Sequence, residues 1–214
     1  MLERTCAGER IRVFTPGGDT LPFTGTPHIP NRDYVFTLAT PQWARFDANL
    51  LLIGGQDENF YEWAQANIDV ATLTAHLRAS DRARLEATLQ YDDYWRRTDH
   101  SLVARHLIPR LKLEYQLARP IFVRLVGEYQ ADQTDDLRDV TRTEYSLLVD
   151  GQLATATRAR SFRGDFLFSY QPTPGTVLFL GYGSFYDAKD AYKFNALQRT
   201  ADGFFVKLSY LFRL

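Results

Sequence analysis

The sequence predicts an all-β protein, an antiparallel up-and-down transmembrane β-barrel with about eight strands in this chain. Three observations carry that reading. Apolar and polar residues alternate with period two over eight segments, which puts them on opposite faces of strands. The links between segments alternate short and long, the asymmetry of outer-membrane barrels with tight periplasmic turns and longer outer loops. The final stretch, residues 203–214, sets Phe204, Val206, Leu208, Tyr210, Phe212 and Leu214 on one face and Lys207, Ser209 and Arg213 on the other.

Residues 1–40 are rich in turn formers (Pro16-Gly17-Gly18-Asp19, Pro22, Pro27, Pro30-Asn31) and read as an irregular lead-in. The barrel domain is assigned to residues 41–214. Its first strand, residues 43–53, sets Ala44, Phe46, Ala48, Leu50 and Leu52 against Arg45, Asp47, Asn49 and Leu51. Residues 68–79 set Ala71, Leu73, Ala75 and Leu77 against Thr72, Thr74, His76 and Arg78, and residues 83–93 set Leu85, Ala87, Leu89 and Tyr91 against Arg84, Glu86, Thr88 and Gln90. Residues 108–118 oppose Leu111, Leu113, Tyr115 and Leu117 to Arg110, Lys112, Glu114 and Gln116. Residues 121–130 oppose Ile121, Val123, Leu125 and Tyr129 to Arg124, Glu128 and Gln130. Residues 162–170 oppose Phe166, Phe168 and Tyr170 to Arg163, Asp165 and Ser169, residues 176–186 are apolar on both faces, and residues 203–214 complete the eight. Each approaches the roughly 9–11 residues that a tilted strand needs to cross a bilayer.

Ser80-Asp81-Arg82, Arg119-Pro120 and the QPTPG run of residues 171–175 read as tight turns. The longer polar links fall at 54–67, 94–107, 131–161 and 187–202. If the last strand descends to the periplasm, all three tight turns lie there and all four long links lie outside. Aromatic residues near the strand ends (Trp43, Tyr91, Tyr94, Trp95, Tyr129, Tyr170, Tyr186, Tyr210) suit the headgroup boundary, where ring and polar tip are both satisfied.

Composition narrows the function classes. The 214 residues suit one domain, and charged or polar residues interrupt every stretch well short of the ~20 apolar residues of a membrane-spanning helix. The mean hydropathy of -0.31 is compatible with a barrel, because alternation keeps the average low. A net charge of -1 lacks the basic excess of a nucleic-acid binder. Cys6 is the single cysteine, which excludes an intrachain disulfide and a cysteine-based metal site, and no cofactor is implied. The first residues contain no apolar segment of a secretory signal, so the chain is expected to be the C-terminal piece of a longer polypeptide.

The polar rows nominate a lumen lining of Arg45, Asp47, Arg84, Glu86, Arg110, Lys112, Glu114, Arg124, Glu128, Arg163, Asp165 and Lys207. It reads as a charged pore or as a salt-bridged plug, with Glu86 and Arg110 a plausible pair between neighbouring strands. Phe60, Tyr61 and Trp63, beside Asp57, Glu58 and Gln65 in the link 54–67, offer stacking faces and hydrogen-bonding partners to a glycan; packing against the barrel rim is the alternative. His76, His100 and His106 are the candidates for a lumenal enzyme, but no nucleophile elbow, zinc-protease motif or phosphate-cradling loop accompanies them. The acidic run 132–139 lacks the ligand spacing of a calcium loop. A soluble ligand-binding barrel, with the apolar rows turned inward, remains the other architecture compatible with alternation.

The segments DENFYEWAQ (57–65), IPRLKLEYQLARPIFVRLVGEYQ (108–130), SYQPTPGTVLFLGYG (169–183) and DGFFVKLSYLFRL (202–214) resemble the C-terminal barrel region of bacterial proteins grouped as domain of unknown function 5916. The resemblance runs from about residue 40 to the end. It implies a bacterial outer-membrane location, a barrel larger than eight strands, and an N-terminal carbohydrate-binding module of the family-9-like type that is absent here. It supplies no catalytic residues. Lys207, Ser209, Phe212 and Leu214 resemble the C-terminal insertion signal of bacterial barrels, with Ser209 for the usual glycine and Leu214 for the commoner aromatic. The implied partners are the lipid bilayer, the barrel assembly machinery and glycans.

Overall fold

The structure, a computed structural model, describes residues 10–188 and 197–211. Thirteen strands are assigned among them: β1 (Ile11–Phe14), β2 (Thr20–Pro22), β3 (Arg32–Ala39), β4 (Phe46–Asn59), β5 (Ala64–Arg78), β6 (Ala83–Arg96), β7 (Leu102–Ala118), β8 (Ile121–Thr134), β9 (Leu147–Val149), β10 (Gln152–Leu153), β11 (Thr157–Thr173), β12 (Thr176–Ala188) and β13 (Gln198–Tyr210). All pairings are antiparallel. Nine strands form one sheet in the order β13-β12-β11-β8-β7-β6-β5-β4-β3, and the four short ones form a second, β10-β9-β1-β2. The large sheet is open, since no pairing joins β3 to β13 among the described residues.

All eight predicted segments coincide with strands of the large sheet, the last of them described as a strand as far as Tyr210. The irregular lead-in assigned to residues 1–40 is corrected: it holds β1, β2 and β3, and β3 is the ninth strand. Tyr34, Phe36 and Leu38 share one face of β3 and Asp33, Val35 and Thr37 the other, so the alternation is present but short, and Pro30 and Pro41 imitate a loop. The long links are also shorter than expected. Residues 54–59 and 64–67 continue the ladder of β4 and β5 through pairs such as Gln56 with Asn67, so only residues 60–63 form the loop. Ladder hydrogen bonds do not require apolar side chains, and the strands therefore run past the apolar band.

The turns obey local chemistry. Ser80 Oγ accepts the N–H groups of Arg82 at 3.2 Å and Ala83 at 3.1 Å, as turn serines do. Between β11 and β12, Pro174 presets its own φ and Gly175 takes φ +92°. A Cβ on Gly175 would lie 2.6 Å from Leu211 Cβ. Gly175→Ala is therefore expected to destabilise the fold by about 1–2 kcal/mol from the backbone alone, while Gly17→Ala, whose Cβ meets nothing nearer than Thr15 Oγ1 at 3.9 Å, is near neutral. Denaturant midpoints of the two variants check this.

The register aligns the faces. Phe46, Leu77, Leu85, Leu113, Leu125, Phe166, Tyr182 and Phe204 are successive cross-strand partners from β4 to β13, an unbroken apolar row across eight strands. A second row joins Leu38, Leu50, Leu73, Leu89 and Pro109. These residues share one face of the sheet, and Leu113, Leu125 and Phe204 are exposed. The fully packed apolar core lies elsewhere, at the end with the long loops, where Val13, Phe23 and Leu147 pack with Ile11, Trp63 and Leu137. The lead-in and the link between β8 and β11 build this cap together, β1 pairing with β9 through Ile11 and Val149.

Candidate functional site

The face opposite the apolar rows collects most of the predicted lumen lining, and several of its charges are paired. Lys112 Nζ lies 3.2 Å from Glu86 Oε2 and 3.4 Å from Glu114 Oε1. Arg110 Nε lies 3.7 Å from Glu128 Oε2, and Arg163 Nε lies 2.9 Å from Asp165 Oδ2. The suggested Glu86–Arg110 pair is thus corrected by register: Glu86 stands opposite Lys112, and Arg110 opposite Thr88 and Glu128. Arg84 and Arg124 flank Glu114 from either side. Asp47 Oδ2 accepts from His76 Nδ1 at 2.7 Å. Lys207 faces Phe179, and Ser209 faces Val177. Arg45 stands just before β4, and its carbonyl accepts the Arg78 N–H at 2.7 Å. Phe212 and Leu214 of the insertion signal lie outside the described residues.

Residues of six strands, from Glu86 on β6 to Phe205 on β13, line a hollow of about 1010 Å³ on this face, together with Arg110, Lys112, Arg124 and Arg163. Phe205 lies across Gly181, where a Cβ would come within 2.0 Å of the ring. This aromatic cover over a glycine is a familiar packing device in sheets.

The cap over this face is held by a buried ion pair. Glu62 and Arg96 are almost fully buried, with Arg96 Nη2 2.6 Å and Nε 3.1 Å from Glu62 Oε1. Glu62 also accepts from Asn59 Nδ2 at 3.1 Å and the Arg138 backbone N–H at 3.0 Å. Arg96 further donates to Ser101 Oγ at 2.8 Å, Asp135 Oδ2 at 3.1 Å and the Asp136 carbonyl at 2.7 Å. Burial pushes the Glu62 carboxyl above its ordinary range, and Arg96 and then Arg138 pull it back. Asp99 is held well below the usual carboxylate range by hydrogen bonds from Ser101 and from Arg138. The loop after β4, the loop after β6 and the segment after β8 are therefore tied at one point. The sequence reading missed this knot, because its partners are 34 and 76 positions apart.

The aromatic loop is divided in its roles. Tyr61 Oη donates to His106 Nε2 at 2.8 Å, His106 Nδ1 bonds Asp132 Oδ1 at 2.7 Å, and Gln130 Nε2 donates to Asp132 Oδ2 at 2.8 Å. Trp63 packs on the cap core and meets Phe60 edge-on at 6.3 Å. Only Phe60 is strongly exposed, at 61%, so the three do not form one open platform. The Asp132–His106–Tyr61 chain can share a proton, but burial, with Asp92 next, raises the Tyr61 hydroxyl above its ordinary range. That is the opposite of an activated nucleophile. His100 stands in the loop after β6 with φ +57°. No group of three or more ligating side chains able to hold a metal ion occurs among the described residues.

Among the boundary aromatics, Tyr91, Tyr129, Tyr170 and Tyr186 fall on the face of the apolar rows by register, while Tyr94 turns to the polar face and meets Tyr61 edge-on at 5.9 Å. No family model, curated protein or solved structure matches this chain.

Proposed function

We propose that the chain forms part of the wall of a bacterial outer-membrane β-barrel, a structural or transport wall with its Leu/Phe face toward lipid and its charged face toward the lumen. The observation that carries this reading is the apolar row from Phe46 to Phe204, exposed on one side of a sheet whose other side carries charge. Its dimensions agree. On β7 the outward residues Leu107, Pro109, Leu111, Leu113, Tyr115 and Leu117 cover roughly 33 Å of strand, which a tilt of about 40° reduces to the ~25 Å apolar band of such barrels.

With nine antiparallel strands, β3 and β13 run in the same direction. Direct closure would then require a parallel seam, whereas bacterial barrels use even numbers of antiparallel strands. Additional strands between the two edges fit that rule, and the resemblance to domain of unknown function 5916 points the same way. The paired lumen charges lower the cost of holding arginines and carboxylates in a confined space. Phe60, exposed on the outer loops, is the best-placed residue for glycan contact.

Detergent-dependent extraction from the membrane fraction, followed by planar-bilayer recording, tests the proposal. Recovery as a soluble protein without detergent would favour the inverted, ligand-binding barrel. For a conducting wall, Lys112→Glu combined with Arg124→Glu is expected to shift ion selectivity toward cations, since charged rings set pore selectivity. An absence of conductance would leave a structural anchor.

A further inference from the structure

The hollow on the polar face has an uncharged floor at its β12–β13 end. Gly181, Gly183 and Phe185 of β12 stand opposite Phe205, Gly203 and Ala201 of β13, on the face that also carries Arg163 and Asp165. Phe185 and Phe205 are exposed. They lie four strand positions apart, about 13 Å, with the Gly183–Gly203 pair between them. A Cβ on Gly203 would meet nothing within 4 Å, so the space above this pair is open among the described residues. These residues form a slot with a phenyl ring at each end and no side chain on the glycine pair between.

The cations around the slot differ in their partners. Arg110, Lys112 and Arg163 are engaged by Glu128, Glu86 and Asp165, whereas Arg124, which also lines the hollow, makes no hydrogen bond or ion pair among the described residues. Its cross-strand neighbour Glu114 lies 3.4 Å from Lys112 instead. Arg124 is half-buried, and a partly desolvated guanidinium gains from a carboxylate that its planar fork can hold. In its row across the sheet only Leu167 separates Arg124 from Gly181, which sets their Cα atoms about 10 Å apart.

We propose that the hollow binds an aromatic monocarboxylate, with its ring in the slot between Phe185 and Phe205 and its carboxylate on Arg124. The proposal deepens the transport-wall reading, on which its role as a solute site rests. Ring stacking selects an aromatic ligand. A sugar ring in the same place would lay hydroxyls over glycines and an alanine that offer no side-chain partner, a cost the aromatic ring avoids. A small inorganic anion would leave both phenyl faces unused. Asp165 fixes the direction: its Oδ1 would lie 2.8 Å from a Cβ on Gly183, so like-charge repulsion turns the acid end of the ligand away from it and toward Arg124. The volume of about 1010 Å³ is ample for such a molecule.

The test titrates the full chain, in detergent or in buffer as it is recovered, with 4-fluorobenzoate and follows the ligand by fluorine NMR. Wild type is expected to bind about tenfold more tightly than Arg124→Gln, as for the loss of one charge-assisted contact. It should also bind about tenfold more tightly than Gly203→Leu, whose Cβ has open space and whose side chain fills the slot. The neutral 4-fluorobenzamide should bind wild type no better than it binds Arg124→Gln. A wild type that does not bind 4-fluorobenzoate at millimolar concentration, an unchanged affinity in either variant, or equal affinity for acid and amide would overturn the proposal. Displacement of the probe by inorganic phosphate as effectively as by benzoate would reassign Arg124 to small anions, and displacement by maltose or glucuronate would make the slot a sugar site; either result overturns it. The variants lie on different strands, β8 and β13, so a folding defect in one, read from circular dichroism, leaves the other to decide. Binding by a chain that does not enter vesicles defeats the wall reading and keeps the site, whereas insertion without binding defeats the site alone.

Discussion

Arg96→Met is expected to destabilise the protein by about 3–5 kcal/mol, the cost of leaving a buried partner charge uncompensated. Glu62 would keep its Asn59 and Arg138 donors but lose the guanidinium that offsets its burial. The effect should exceed that of removing an exposed pair such as Arg10–Asp150, whose side chains are more than half exposed and whose attraction water and salt screen. Combining Arg96→Met with Glu62→Gln should recover part of the loss, because the stranded charge is then gone. Denaturant unfolding followed by tryptophan fluorescence is a suitable readout, since Trp63 packs on the cap core beside this ion pair. Single and double variants that unfold at the same midpoint as the parent would show that the knot does not hold the cap.

Leu113→Arg is expected to cost roughly 2–4 kcal/mol when unfolding is measured in lipid vesicles, the value for arginine near the middle of a barrel's lipid face. Leu113 sits in the continuous row between Leu85 and Leu125 and is 37% exposed in the isolated chain. In water an exposed surface substitution of this kind would change stability by only about 0.5 kcal/mol. The size of the effect therefore distinguishes the solvents directly. Glu114→Gln, one residue away on the opposite face, serves as the control and should stay below about 1 kcal/mol, since its contact with Lys112 is a partly exposed 3.4 Å pair. A near-neutral Leu113→Arg in vesicles would argue that this face does not meet lipid.

Seven of the eight predicted strands, all but the apolar run 176–186, were legible because each needed only its own residues: Leu111, Leu113 and Tyr115 oppose Arg110, Lys112 and Glu114 whatever surrounds them. β3 was not, since its alternation of Tyr34, Phe36 and Leu38 with Asp33, Val35 and Thr37 spans few residues among turn formers, and its pairing with β4 is what makes it a strand. The outer ends of β4 to β7 were underestimated for a related reason. Polar residues such as Gln56 and Asn67 look like loop, yet their backbone groups continue the ladder.

The candidate site divides in the same way. Which charges share the polar face follows from sequence parity, so Glu86, Arg110, Lys112, Glu114 and Glu128 could be named in advance. Which of them touch depends on register between strands, and that moved Glu86 from Arg110 to Lys112. The aromatic loop shows the sharper limit. Phe60, Tyr61 and Trp63 are near neighbours in sequence, but one is open to solvent, one bonds His106, and one packs on residues from the lead-in.

The sequence by itself determined the all-β class, the two chemically distinct faces and the positions of the tight turns, because side-chain alternation and turn chemistry are local properties. Only the tertiary structure decided the number of strands in the sheet, its two open edges, the cap built from the lead-in and the β8–β11 segment, and the Glu62–Arg96 knot. Each of those depends on groups far apart in the chain, brought together by backbone ladders whose register no single strand encodes.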